Sequence, residues 1–483
     1  MLACLLSLLL SWLPAPASAI SLPDTTRAAI GSDSTLRAQC PGYTRVKVDQ
    51  VLFVGNVKTK ERILRAELDF REGDSLNVIG LGKRLEANRR RIYNLQLFHE
   101  VALQMVCRDG SITVLFGVQE RWYTFPVPIF SLADRNFRSW ANRPDRWRRV
   151  DYGIHLTRNN FRGRNEQLIA NLQLGFNRKY EIFYEAPGYG RRRRLGLGLA
   201  ASYYQSRALD YATVQDRLVN YRTDDGFALQ RQYFLAGLRW RHTVQRLSAF
   251  DVSYHHERVA PEITQLNPNY YLGNNRRDYL DFTFSTTLNQ RNTFAYPLTG
   301  RFMQVVASQR VFLRTGSPGI TTLYGTYARY LALGRGFYYS VGVQARARFA
   351  QRIAYPDNHA FGYEALVRGY DAYVVDGRYY GLARQGLSYR LLDLGRLQLN
   401  SIGNPKVNSI PLVFYLNTFT DAGYVVGRSA VAERFQNRLS NQLLASAGVG
   451  LHLVTYYDWV FTAEYALNGR GETGFFFRTS FPI

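Results

Sequence analysis

Few side chains in this sequence have the types and spacing that catalysis needs, and those few point to bridging and charge pairing. Seven His are scattered without ligand spacing, and no G-x-S-x-G, H-E-x-x-H or Gly-rich phosphate loop occurs. No catalytic residue, cofactor-binding residue or metal site is therefore expected, and the chain reads as a non-enzyme. Of the three Cys, Cys4 lies too early in an apolar N-terminal stretch to carry a lipid anchor. Cys40 and Cys107 remain, and an oxidising compartment would allow a disulfide between them. Two unrelated thiols are the equal alternative, because sequence does not fix a Cα separation. Charge is the strongest feature: 61 Lys and Arg stand against 37 Asp and Glu, a net +24. Such cations either line a wet interior and loops or meet the phosphates of an anionic leaflet. The densest run, Arg191, Arg192, Arg193 and Arg194, suits a turn between strands. A basic cytosolic protein would suggest nucleic acid, but the export segment described next argues against that partner.

The elements that hold these residues follow in order. Residues 2–13 are almost wholly apolar, and Ala17-Ser18-Ala19 supplies a small-x-small cleavage site. The stretch is too short to span a bilayer and reads as a signal peptide over 1–19, although no Lys or Arg precedes it. Residues 20–42 form an aperiodic leader. A compact unit over 43–121 begins with a strand carrying Val46, Val48, Val51 and Phe53, closed by Gly55-Asn56. Thr59 is placed to N-cap a helix through Leu68, and Gly73-Asp74-Ser75 breaks before a second helix. Leu81, Leu85, Asn88, Ile92 and Leu95 recur there at helical spacing, so one stripe faces a core. A strand over 101–107 and another with Ile112, Val114, Phe116 and Val118 turn about Asp109-Gly110. The order is β-α-α-β-β. Residues 122–148, with Pro126, Pro128 and many aromatics, read as a linker.

From 149 to 483 only strand-like segments remain. Tyr339, Val341, Val343, Ala345, Ala347 and Phe349 alternate with Ser340, Gly342, Gln344, Arg346 and Arg348. Comparable alternation runs through Leu168 to Phe176, Leu280 to Leu288 and Ala445 to Leu453. Period two sends one set of side chains to each face. The strands run near ten residues, longer than in ordinary globular sheets, and their polar face suits a wet lumen. The 34 Tyr, 29 Phe, 6 Trp and 39 Gly match the aromatic, glycine-rich texture of outer-membrane barrels. At roughly 20 residues per strand plus connection, the length allows about 16 strands. Phe475, Phe477, Phe481 and Ile483 share one face of the last strand, which must close on the first to leave no unpaired edge in lipid. The expected fold is mainly β: an antiparallel transmembrane β-barrel of about 16 strands preceded by one small α+β domain.

Two motifs lie inside the barrel segment. Val367-Arg368-Gly369-Tyr370, followed by Gly377 and Gly381, sits in a long connection between strands, and Phe419-Thr420-Asp421-Ala422-Gly423 comes further on. In these residues the chain resembles the BamA/TamA superfamily of outer-membrane assembly and translocation proteins. The resemblance implies that the loop carrying Arg368 folds back into the barrel and that Arg368 meets Asp421 on an inward-facing strand. A buried guanidinium needs such a bidentate carboxylate partner, and Gly369 permits the tight turn beside it. The unit over 43–121 resembles the family's periplasmic POTRA (polypeptide-transport-associated) domain through Val51-x-Phe53-x-Gly55-Asn56, Gly73, Leu85, Leu95-x-Leu97-Phe98-x-x-Val101 and Val118-x-Glu120. Asn160-Phe161-x-Gly163 and Gly448-x-Gly450 extend the likeness into the barrel.

By that resemblance, the chain is a bacterial outer-membrane surface-antigen-type barrel with its POTRA domain in the periplasm. It would assist insertion or translocation of proteins, and its POTRA domain would bind unfolded clients or accessory subunits by adding a strand to a sheet edge. Outer-membrane lipids are its other partner. Three features depart from the family pattern: a single POTRA domain, the ending Phe481-Pro482-Ile483, and no plug helix. A passive pore or surface receptor on the same scaffold is the alternative.

Overall fold

The computed structural model describes residues 40, 42–132, 146–189, 194–243, 245–314, 319–363, 365–398, 409–427, 435–455 and 459–479. The expected signal peptide, nearly all of the leader, Arg191 to Arg193, and Phe481 and Ile483 lie outside the described residues.

The N-terminal unit contains β1 (Arg45–Val54), α1 (Glu61–Arg65), β2 (Ser75–Asn77), α2 (Leu81–Tyr93), β3 (Phe98–Arg108) and β4 (Ser111–Glu120). Its strands lie in the order β2-β1-β4-β3, with β1 and β4 parallel. The ladder between them skips at Val48 and Gln50, and this bulge is why Val46, Val48 and Val51 share the core face despite their uneven spacing. Leu64, Leu81, Leu85 and Ile92 from the helices pack onto Phe98 and Phe116 of the sheet. The β-α-α-β-β order gains β2, an edge strand of three residues that is too short to show alternation in the sequence. The first helix ends at Arg65 rather than Leu68 and has no side-chain cap. Thr59 is bound elsewhere: its N–H and its hydroxyl both donate to Glu120 Oε1 at 2.6 Å, a charge-assisted arrangement stronger than a neutral helix cap.

The second sheet runs through β5 (Thr124–Leu132), β6 (Val150–Phe161), β7 (Glu166–Gly175), β8 (Arg178–Tyr189) and β9 (Leu195–Ser206). A side hairpin, β10 (Ala208–Val214) and β11 (Arg217–Arg222), precedes β12 (Leu229–Arg241) and β13 (Arg246–Val259). After α3 (Pro261–Leu266) come β14 (Arg276–Asn289), β15 (Gly300–Phe312), β16 (Ile320–Gly334) and β17 (Phe337–Phe349). A long loop with the short pair β18 (His359–Phe361) and β19 (Val375–Asp376) leads to β20 (Tyr379–Gln398). The chain continues through β21 (Ser409–Val426), β22 (Leu443–Val454), β23 (Val460–Asn468) and β24 (Thr473–Thr479). Apart from the two short hairpins, these strands form one 16-stranded antiparallel sheet in chain order.

The expected linker over 122–148 instead carries the first strand of this sheet, so the barrel begins at Thr124 and not at 149. Pro126 and Pro128 disguised it. They are tolerated because β5 is an edge strand, laddered to β6 alone among the described residues, and so needs donors on one side only.

Along β17, Val343 and Phe349 are about half exposed while Arg346 between them is buried. Phe475 and Phe477 on β24 also face outward. Apolar residues outside and charges inside is the arrangement of a barrel in lipid and the inverse of a soluble sandwich. Among the described residues, no helix is long and apolar enough to cross a membrane, and no ladder joins β5 to β24.

Connections and the N-terminal unit make contacts at both ends of the barrel. At the far end, the Asp216 carboxylate between β10 and β11 accepts the backbone N–H groups of Arg438 and Leu439 from the β21–β22 connection. At the near end the N-terminal unit rests on three turns. Lys60 N–H donates to Gly163 O at 2.9 Å, and Asn160 Nδ2 donates to Thr59 Oγ1 at 2.8 Å. Arg241 Nη1 donates to Glu67 Oε1 at 2.7 Å, and Asn94 Nδ2 donates to the Arg291 carbonyl at 3.3 Å.

Candidate functional site

The loop between β17 and β20 folds back into the barrel and buries its Val367-Arg368-Gly369-Tyr370 segment, of which only Gly369 keeps appreciable exposure. Arg368 meets Asp421 on β21 in a bidentate pair, Nη2 to Oδ1 at 2.6 Å and Nε to Oδ2 at 2.9 Å. The Arg368 backbone N–H adds a third bond to Oδ2 at 3.1 Å. The guanidinium lies over the Phe419 ring, 3.7 Å from its centroid. A side chain at position 423 would collide with the loop, since a Cβ there would stand 2.6 Å from both Phe361 and Val367. Each named residue of Phe419-x-Asp421-x-Gly423 thus has its own part: Phe419 gives the cation a face, Asp421 gives it a countercharge, and Gly423 leaves room for the loop. Gly369 turns at φ +86°, and its carbonyl accepts Asn468 Nδ2 at 2.9 Å. Gly469 N–H donates to the Tyr370 hydroxyl at 3.2 Å.

Burial pulls the Arg368 guanidinium toward neutrality, but the hydrogen bonds and charges of Asp421 and Glu464 outweigh it and hold its pKa above the ordinary value. Glu464, on β23, was not foreseen. Its Oε1 accepts Arg368 Nη1 at 3.2 Å, and its Oε2 accepts Arg478 from β24. Arg478 in turn donates to Asp371, just beyond the motif. The loop therefore grips β21, β23 and β24 together, through charges whose desolvation is offset by reciprocal pairing. Arg384 on β20 completes the group, 3.9 Å from Asp421.

A second grip holds the other arm of the loop. Asp357 bonds Arg277 on β14 at 2.7 Å and Arg310 on β15 at 2.6 Å. Those cations pair in turn with Glu257 at 2.7 Å and Asp281 at 2.8 Å. Burial would raise the Asp357 pKa, but Arg277 and Arg310 hold it below the usual carboxylate range. In the sequence, these charges lie among the other polar residues of the strands and the loop, so nothing distinguishes them from other lumen residues.

Outside the barrel, Cys40 and Cys107 are joined by a disulfide with Cα atoms 5.6 Å apart, tying the start of the N-terminal unit to β3. Among the described residues, no group of three or more His, Cys, Asp or Glu is placed to hold a metal. What the lumen centre offers is a set of charge-assisted contacts that fix one loop to several strands.

The sequence model of the Omp85 superfamily domain matches residues 160–455, and that of the POTRA domain, described as a surface antigen variable number repeat, matches residues 46–121. Among solved structures, a BamA from Haemophilus ducreyi lacking POTRA domains 1–3 is 14% identical with a TM-score of 0.50, covering 90% of this chain and 83% of that one. CdiB from Escherichia coli is 13% identical with a TM-score of 0.50, covering 90% of this chain and 74% of that one. At such identities the likeness is one of fold. No curated protein matches the chain.

Proposed function

The chain belongs to the Omp85 superfamily, outer-membrane β-barrels with periplasmic POTRA domains that serve protein insertion or translocation, and from that premise we propose that this member handles unfolded client proteins at the outer membrane. The POTRA domain receives a client or an accessory subunit in the periplasm. The barrel then opens at its seam, between β5 and β24, to template or release the client. Arg368 and Asp421 do no chemistry in this reading; they hold the lumen loop, and through Glu464 and Arg478 they set how firmly the last strands are kept.

The observation that carries the reading is the reach of the loop. One buried arginine bonds carboxylates on β21 and β23, and its neighbour Asp371 bonds β24, the strand at the seam. A diffusion pore has no use for a loop pinned to its last strand and a lumen crossed from wall to wall. Depleting the protein and measuring single-channel conductance of the purified barrel test the reading together. Loss of particular outer-membrane or surface proteins with small, unsteady currents is expected. Large stable currents with an unaltered outer-membrane proteome would replace it with the pore.

A further inference from the structure

The connection between β14 and β15, residues 290–299, turns into the barrel at the end where the POTRA domain sits. It is laced to itself: Asn292 N–H donates to Thr299 O at 3.0 Å, and Asn292 Oδ1 accepts the N–H groups of Leu298 at 3.0 Å and Thr299 at 3.1 Å. Thr293 Oγ1 also donates to Tyr296 O at 2.9 Å. A turn tied in this way moves as one piece. Its tip, Tyr296, is buried and stacks on Tyr415 of β21 with ring centroids 4.6 Å apart. The Tyr296 hydroxyl lies 3.0 Å from His452 Nδ1 on β22. His452 is fully buried, and its Nε2 stands 3.6 Å from Glu464 Oε1, the carboxylate that joins Arg368 to Arg478. At the base of the turn, the Arg291 carbonyl accepts Asn94 from the end of POTRA helix α2.

These contacts run from the POTRA domain to the ion-pair centre and the seam strand, hydrogen-bonded at Asn94 and Tyr296 and closed by the 3.6 Å approach of His452 to Glu464. Neither β14 nor β15 ladders with β22, so the Tyr296–His452 bond links elements that the sheet leaves apart. Packing alone would be served by Phe and an aliphatic residue. A buried hydroxyl and imidazole cost desolvation unless each finds a partner: the Tyr296 hydroxyl has His452 Nδ1 and, at 3.4 Å, Ser388 Oγ, while His452 Nε2 makes no hydrogen bond and faces Glu464. We propose that Tyr296 and His452 are positioning residues that transmit the seating of the POTRA domain to Glu464, keeping it in the rotamer that grips Arg368 and Arg478. When the domain is drawn away by a client, Tyr296 withdraws, His452 and Glu464 reorient, and the lumen loop loosens from β23 and β24. The inference rests on the reading of the centre as the loop's anchor.

The test uses the full chain in lipid bilayers, with nitroxide labels on cysteines replacing Ala372 in the loop and Arg470 in the β23–β24 turn, and reads the distribution of distances between them by pulsed electron resonance. Cys40 and Cys107 are already bonded to each other, and with Cys4 replaced by Ser only the introduced thiols react. A narrow distribution is expected for the parent protein and a broad one for Arg368→Ala. Tyr296→Phe, which keeps the ring stack and loses only the hydroxyl, and His452→Gln are expected to broaden it as well, with at least a doubling of width. Asn94→Ala is expected to broaden it less. In a Glu464→Gln background, Tyr296→Phe should add nothing. If Arg368→Ala broadens the distribution while Tyr296→Phe and His452→Gln leave it narrow, the relay is wrong and the anchor stands. If Arg368→Ala itself leaves it narrow, the anchor reading fails first.

Discussion

Arg368 is a buried cation facing two buried carboxylates, so its removal leaves Asp421 with Arg384 alone, 3.9 Å away, and Glu464 with Arg478 alone. Breaking a buried pair by deleting one partner costs about 3–5 kcal/mol, because the remaining charge keeps its desolvation and loses its compensation. Arg368→Ala is therefore expected to lower the temperature at which the folded barrel converts to the unfolded band on a semi-native gel. An unchanged transition would contradict the anchoring role. Arg368→Lys should recover only part of the loss, since an ammonium makes no fork with Asp421. Gly423→Val is expected to act on the same transition by a different route, displacing Val367 and Phe361 from the wall. At this scale the Arg368–Asp421 pair was legible in the sequence only because two short motifs resemble a known family. Glu464 and Arg478 on strands and Asp371 and Asp357 in the loop were not, because a charge at a polar position carries no record of what it will face. Tyr296 lay equally hidden, as an aromatic residue in what reads as an ordinary turn.

Alternation announced β7, β14, β17 and β22, and the helical spacing of Leu81, Leu85, Asn88 and Ile92 announced α2. Two elements escaped for opposite reasons. The three residues of β2 are too few to show a period, and the prolines of β5 mimic a linker unless the strand is known to lie at an edge. Thr59 had the right chemistry for a helix cap but a stronger acceptor in Glu120. The disulfide closes a loop with a sequence separation of 67 residues across the POTRA domain. Its loss through Cys40→Ser with Cys107→Ser is expected to cost that domain about 2–4 kcal/mol. Faster amide exchange in β1, β3 and β4 with unchanged exchange in the barrel would show it; uniform exchange in both variants would not. Strand β3 pairs with β4 alone among the described residues, and Val106 on it is exposed. A photo-crosslinker at Val106 is expected to capture extended client segments, whereas one at exposed Val57 is not. Equal capture at both positions would argue against strand addition at this edge.

The whole molecule is a barrel contacted at both ends and crossed inside by its loop. The POTRA domain rests on the near end through Thr59, Lys60, Glu67 and Asn94, the β10–β11 and β21–β22 connections meet at the far end, and the lumen loop is tied to opposite stretches of wall by Asp357 and Arg368. Inside the lumen, arginines find carboxylates on the loop or on neighbouring strands, and the net charge of +24 is the excess of cations left once every carboxylate is counted. Barrel class and the single α+β domain were legible from period, length and composition; the crossing of the lumen was not, because it depends on contacts between residues far apart in the chain. The most direct measurement is the rate at which a urea-unfolded small outer-membrane β-barrel protein folds into liposomes with and without this protein reconstituted in them. Faster folding with the intact chain, reduced by Arg368→Ala, is the expected result. Folding no faster than into protein-free liposomes, accompanied by a large steady conductance, would contradict it.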